Sequence, residues 1–371
     1  SCVLFLVLLV LTYLGTLEQV EHGLYETSEK YFESLFLVHY VWGVVPLPLP
    51  GAYLVLVLLA VNLMLCAFVR RQVTWARTGI LIGHAGILVL LLGAFVSLRF
   101  AQNGQVSLYE KESAQEFQSY REWEIGFRPV AAPGETVDEH VIPPADFARM
   151  SADGEVSFEF PGLPVRLTLT GYARNASVQK APANAGPGAI DGYALLQMPS
   201  GAMGDVDVPG AYATLEDTAT GEKKEGILWG GTRSPLVLAP GGKEWNVELR
   251  RQRWQLPFTI TLNKFTREVY PRTEIPKVFE SDVTVRENGL DQQFKIGMNE
   301  PLRYGGYTFF QSSWGPDGAG PNDRLYSSLA VVKNPADKFP LYASAIISFG
   351  LALHFGRALI YYLRARSRRT A

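Results

Sequence analysis

The sequence predicts a membrane protein with four transmembrane α-helices, three N-terminal and one C-terminal. A large extracytoplasmic mainly-β domain lies between helices three and four. Three observations carry this. Four apolar runs reach or approach the 17 to 25 residues that cross a bilayer. The roughly 240 residues between the third and fourth runs hold 19 of the chain's 23 prolines, from Pro129 to Pro335, a composition of short strands and turns. Arginines collect at two places that agree under one threading of the membrane.

The first run is Val3 to Leu17, VLFLVLLVLTYLGTL. The chain begins inside it without Met, which predicts further residues upstream. A retained span is favoured over a signal peptide, because GTLEQVEHG offers only a weak cleavage pattern. The stretch 18–51 is expected as a short outer loop, so the first domain is 1–98. The second run is Ala52 to Val69, interrupted by Asn62. The third, Gly79 to Leu98, carries His84. The fourth, Leu341 to Leu363, carries His354 and Arg357, and 339–371 forms the C-terminal helix and basic tail.

Arg70, Arg71 and Arg77 fill the loop between runs two and three. Arg364, Arg366, Arg368 and Arg369 follow run four. Both places should face the cytoplasm. That puts the N- and C-termini inside and residues 99–338 outside, in the periplasm or the equivalent space beyond the membrane.

Within 99–338, apolar and polar residues alternate with period two, as half-buried strands require. In Val165 to Thr170, Val165, Leu167 and Leu169 share a face. In FTITLNKF, Phe258, Ile260 and Leu262 oppose Thr259, Thr261 and Asn263. SDVTVRE and QQFKIGMN read alike, and Pro240–Gly242 marks a turn. Gly315 and Gly318 mark another turn or loop.

The net charge of −2 gives no basic surface for nucleic acid. The two cysteines, Cys2 and Cys66, lie in apolar runs as fillers. No CxxC motif is present, which excludes thiol–disulfide exchange by this chain alone. No GxSxG, HExxH, P-loop or dinucleotide fingerprint occurs. No metal site is expected. His140, beside VDEHVIPP, reads as a solvated loop histidine, since ligands would have to come from elsewhere. His39, in an aromatic stretch, reads as an interfacial polar residue rather than a ligand, and His22 as solvated.

GMNEPLRYGGYTFFQSSW (297–314), preceded by IPKVFESDVTV (275–285), resembles the ResB family of cytochrome c biogenesis proteins. The family pattern Asn-x-Pro-Leu, then Tyr-x-Gly-Tyr, then Gln-Ser falls on Asn299, Pro301, Leu302, Tyr304, Gly306, Tyr307, Gln311 and Ser312. From the residues themselves, Pro301, Gly305 and Gly306 set a turn, Tyr307 to Phe310 forms a strand, and Asn299 bonds the backbone locally. A fold-defining role for these residues is preferred over partner contact.

The resemblance implies a haem-handling subunit of a System II cytochrome c synthase. It would act with a CcsA-like membrane protein in haem export and in attachment of haem to apocytochrome c. Haem b would be held transiently and shared with the partner. The chain would not be catalytic alone, because the tryptophan-rich haem-handling segment belongs to CcsA and is absent here. A non-catalytic ResB-like scaffold or accessory subunit of a respiratory or photosynthetic complex is the alternative. A transporter subunit is a weaker third reading.

His84 is the candidate axial ligand. An imidazole in lipid is costly unless partnered, and a neutral one ligates haem iron well. Gly79, Gly83, Gly86 and Gly93 form a small-residue stripe beside it that admits another helix or a flat ligand. A hydrogen bond across a helix interface would equally explain His84 from the residues alone. The resemblance favours the ligand. His354 is a second candidate on which the resemblance is silent. Arg70, Arg71 and Arg77 would meet haem propionates or simply follow the positive-inside rule.

Overall fold

The computed structural model describes residues 2–41, 43–69, 78–130, 137–151, 153–181, 189–201, 206–232, 234–271, 276–316 and 324–370. The chain divides into two compact units. One is Ser1–Gln102 with Val332–Ala371, and the other is Asn103–Val331.

In the first unit, α1 (Cys2–Tyr31) is longer than the apolar run predicts. It breaks at Gly23 (φ 78°, ψ 170°), a conformation open to glycine but poor for other residues. The helix folds back there. A Cβ on Gly15 would lie 3.5 Å from the Tyr31 ring and 3.6 Å from Thr27. Strands β1 (Phe36–Val41) and β2 (Val45–Pro50) form an antiparallel hairpin. The stretch 18–51, expected as a loop, is therefore a reversed helix plus a hairpin. Its core is Leu11, Tyr31, Leu37, Ala52 and Val55. Helices α2 (Ala52–Val69) and α3 (Thr78–Phe100) follow.

In the second unit the chain runs through β3 (Gln102–Tyr109), β4 (Ser113–Pro129), β5 (His140–Ile142) and the short helix α4 (Pro144–Phe147). Next come β6 (Glu155–Glu159), β7 (Val165–Ala173), β8 (Ala176–Lys180), β9 (Tyr193–Gln197), β10 (Gly210–Asp217), β11 (Lys223–Trp229) and β12 (Leu236–Leu238). The last strands are β13 (Trp245–Val269), β14 (Pro276–Glu287), β15 (Leu290–Gly297), β16 (Leu302–Tyr304), β17 (Tyr307–Gly315) and β18 (Tyr326–Lys333). The largest sheet has the order β15-β14-β13-β4-β3-β18-β17-β16, with β12 on β13 and β5 on β4. A second sheet has the order β11-β10-β7-β6, and β8 pairs with β9.

The long strands β13 and β4 serve two cores. Trp245, Val247, Ile125 and Phe127 pack with Leu167, Leu169 and Leu215 of the smaller sheet. Further along, Phe258, Ile260, Leu262 and Phe117 pack with Val283, Val285, Ile296, Phe309 and Leu329. The alternating residues named from the sequence thus face inward. Side-chain bonds from Ser281 on β14 to Gln311 on β17 join strands far apart in the sheet order, so the sheet rolls over its core. Gly315 is the last residue of β17 rather than a turn, and Gly318 lies outside the described residues.

The chain ends in α5 (Phe339–Thr370). Among the described residues three helices are long and apolar enough to cross a membrane: Cys2–Leu24, Thr78–Phe100 and Phe339–Arg368. With the large β-rich domain they fit a membrane protein. The expected fourth span is helical, but its described apolar part, Ala52–Leu65, is shorter.

Helices α3 and α5 pack antiparallel through the glycine stripe. Gly79 meets Gly350 and His354, Gly86 meets Ala343 and Ile347, and Gly93 meets Phe339. Each contact uses a missing Cβ, so the backbones approach closely.

Candidate functional site

His84 lies in the second turn of α3, about 9 Å along the axis from Thr78 at 1.5 Å per residue. Its Nδ1 is 2.8 Å from the carbonyl oxygen of Ile80, four residues earlier. A carbonyl only accepts, so Nδ1 carries the proton and donates. The lone pair then sits on Nε2. This is the tautomer of an imidazole ready to bind a metal through Nε2, with the other nitrogen oriented by a backbone carbonyl. The neighbouring stripe is filled by α5, while the Cβ position of Gly83 itself meets nothing within 4 Å.

His354 is on α5, with its backbone against Gly79 and its ring edge-on to Phe355 at 5.2 Å. Gly79 precedes His84 by five residues, so the two histidines differ in depth by about 7 Å along the helix. Both lie toward the same end of the α3–α5 pair, and no ring contact joins them. Arg70, Arg71 and Arg77 lie outside the described residues.

A polar cluster that the sequence does not reveal sits at the fold-back of α1. Tyr31 is fully buried. Its hydroxyl donates to Glu18 Oε2 at 2.5 Å and lies 2.6 Å from His39 Nδ1. Lys30 pairs with the other oxygen of Glu18, and His22 lies 3.9 Å from it. Burial, then the hydrogen bond and charge of Glu18, hold the Tyr31 phenol well above its usual pKa. His39, read as an interfacial polar residue, is thus the end of a Glu18–Tyr31–His39 chain. Only the reversal at Gly23 brings Glu18 and Tyr31 together. The one sequence signal was a glycine followed by a short polar helix, LYETSEKY.

His140 is in strand β5 rather than a loop, paired with Phe127 and with its ring 5.4 Å from Phe160. Among the described residues no group of three or more His, Cys, Asp or Glu could hold a metal ion.

The motif residues 299–312 take up structural positions in the second unit. Gly297 and Glu300 exchange backbone bonds at 3.1 and 3.3 Å, closing a turn around an exposed Asn299. No hydrogen bond from the Asn299 side chain is present among the described residues, so the closure is made by backbone alone. Leu302 and Tyr307 are buried. Gly305 (φ 57°) and Gly306 (φ 82°) form the two-residue turn of the β16–β17 hairpin. Tyr304 donates to Glu287 at 2.7 Å, and that bond raises its pKa. Gln311 Oε1 is 2.7 Å from Ser281 Oγ, and Gln311 Nε2 donates to Ser327 at 2.9 Å. Ser312 is exposed.

Residues 229–323 match the model of the ResB-like family. The cytochrome c biogenesis protein CCS1, chloroplastic, of Arabidopsis thaliana is 35% identical over 88 residues, which is 21% of this chain and 15% of that protein. The cytochrome c biogenesis protein CcsB of Trichormus variabilis is 30% identical over 105 residues, 25% of this chain and 22% of the relative. CcsB of Crocosphaera subtropica is 30% identical over 100 residues, with coverages of 24% and 22%. The matches thus span less than a quarter of these relatives' lengths. Residues 229–323 run from the end of β11 through β17 and contain no histidine. In this segment the chain is similar to the ResB-like family and to cytochrome c biogenesis proteins.

Proposed function

We propose that this chain is the haem-handling subunit of a System II cytochrome c synthase, acting with a CcsA-like membrane protein in haem export and attachment to apocytochrome c. The observation that carries the reading is the Nδ1–H···O bond from His84 to Ile80 within an apolar helix. It leaves Nε2 as a neutral donor to the iron of haem b, held transiently and shared with the partner. The haem cargo supplies an iron that accepts this nitrogen and vinyl groups to which cytochrome thiols are joined. His84 binds and orients, and takes up or loses no proton in doing so. This chain has no CxxC thiols and is not catalytic by itself.

In this reading α2 is the fourth span. Its 18 residues reach about 27 Å, close to the roughly 30 Å of a hydrocarbon core. The arginines at 70, 71, 77 and after 363 support an orientation with both termini in the cytoplasm of a bacterial inner membrane. The β domain stands in the periplasm, where it positions apocytochrome or partner. The charges of Arg70, Arg71 and Arg77 suit haem propionates or the membrane interface, and His354 is a further ligand candidate.

The test is optical. The chain purified with its partner after haem-replete expression carries a haem spectrum, and His84→Ala diminishes both the spectrum and cytochrome c yield. A wild type without haem, or an unaffected His84→Ala, overturns the reading.

A second reading, a ResB-like scaffold without haem traffic, is favoured by one observation. The matched segment 229–323 holds no histidine, and its motif residues form turns and internal bonds. A haem-free complex that still supports assembly would select it.

A further inference from the structure

Three contacts fix the state of His39. Glu18, ion-paired with Lys30, is a carboxylate and can only accept. The 2.5 Å bond between Tyr31 and Glu18 therefore uses the single proton of Tyr31. The 2.6 Å contact of Tyr31 with His39 Nδ1 then has only one arrangement. His39 Nδ1–H donates to the phenol oxygen, and the lone pair rests on Nε2. A carboxylate acting through a hydroxyl on the far nitrogen of a histidine is the support that metal-ligating imidazoles receive. Only the Nδ1 side is used. The His39 side chain keeps 19% of its surface exposed, and no described group is bonded to Nε2.

The surroundings narrow the ligand. A bare metal ion needs several protein ligands, and no cluster of three exists among the described residues. An iron already held by four ring nitrogens needs one imidazole per face. Cross-strand partners share a face of a hairpin, and His39 is opposite Leu47, with Val41 opposite Val45. Leu47 is 43% and Val45 53% exposed, an apolar shelf beside the imidazole. We propose that His39 is a second axial ligand for haem iron in this chain, bound through Nε2 beside the Leu47–Val45 shelf.

This rests on the haem-handling reading and extends it to two stations. His39 precedes α2 and His84 follows it, so a helix of 18 residues lies between the two stations in the chain. No bond in the protein breaks on ligation. The Nε2 lone pair forms the iron bond and the proton stays on Nδ1.

The test is titration of ferric haem into the full chain in nanodiscs, read by Soret position and stoichiometry. Wild type is expected to take two haems. His84→Ala takes one, and His84→Ala with His39→Ala takes none. Tyr31→Phe keeps the packing but removes the acceptor for Nδ1–H, and weakens the His39 site roughly 10- to 100-fold. In case His39→Ala loosens the hairpin, His39→Gly with added imidazole regains the absorption band, which a merely structural histidine would not cause. Equal binding by His84→Ala and the double variant overturns the proposal while leaving the haem reading intact. No haem in wild type overturns both. Loss with His39→Ala but not His84→Ala supports this site and sinks His84 as ligand.

Discussion

Gly79 of α3 and Gly350 of α5 touch backbone to backbone. A Cβ on Gly79 would lie 2.6 Å from the Gly350 carbonyl oxygen, and one on Gly350 2.6 Å from that of Gly79. Contacts this close leave no room for a side chain. In lipid, where no hydrophobic force drives helices together, such packing is much of what holds them. Gly79→Leu and Gly350→Leu are therefore expected to separate α3 from α5. Gly83→Ala is the control, since its Cβ would meet nothing within 4 Å. The distance between spin labels on the exposed Ile80 and Phe355 reads the outcome. An unchanged distance in Gly350→Leu would refute it.

The Ser281–Gln311–Ser327 cluster closes the rolled sheet. Ser281 and Ser327 are almost wholly buried, and Gln311 bonds both. Gln311→Leu removes one partner from each, leaving their mutual 2.8 Å bond, and costs about 0.5–1.5 kcal/mol, the net worth of a typical hydrogen bond. Ser312→Ala, one residue on but exposed, stays within about 0.5 kcal/mol. The urea midpoint of the full chain, followed by near-ultraviolet circular dichroism, separates the two. Equal midpoints would mean that Gln311 acts at the surface instead.

Local patterns were legible in the sequence. Val165, Leu167 and Leu169 alternate because one strand face is buried, and that periodicity is written in adjacent residues. Three long apolar helices, the shorter one at Ala52–Leu65 and the turn at Gly305–Gly306 were legible for the same reason. What depends on distant residues was not. Ser281 and Gln311 are thirty residues apart, and nothing local says that β14 will meet β17. The length of β13, which serves two cores, was hidden by bulges at Arg251–Arg253 and Gln255–Ile260. For the site, His84 was visible as a polar residue in an apolar run, but its tautomer needed the Ile80 bond. The polar chain ending at His39 was hidden because Glu18 and Tyr31 converge only after the reversal at Gly23. Asn299 supplied the opposite lesson: a residue type that often bonds the backbone stays exposed here.

The hairpin turn gives a third prediction. Both Gly305 and Gly306 have positive φ, as two-residue turns with the sheet's own twist require. Gly306 has open space around its Cβ position, whereas a Cβ on Gly305 meets the Phe258 ring at 3.0 Å. Gly306→Ala is expected to lose about 1–2 kcal/mol from backbone strain alone. Gly306→Asn loses less, because Asn tolerates this region, and Gly305→Asn loses more because it also crowds Phe258. Thermal melts that rank the three otherwise would overturn the assignment of cost to backbone rather than space.

The last prediction concerns acid. Glu139 receives two bonds from Arg250, at 2.6 and 2.8 Å, and Arg250 also bonds the buried Glu124 at 3.0 Å. The hydrogen bond from Arg250 is the main reason that the Glu139 carboxyl is held below its ordinary value of 4.5. A carboxyl depressed by folding contributes stability above its unfolded pKa and loses it as pH falls through the folded one. The contribution is thus complete at neutral pH and disappears below about pH 4.5. Glu139→Gln removes it, lowering stability at pH 7 by on the order of 1 kcal/mol for a partly exposed pair. The two proteins should then converge as pH falls toward 3. Urea unfolding at stepped pH checks this. A difference that persists undiminished at low pH would show that Glu139 stabilises by packing, not by its charge on Arg250.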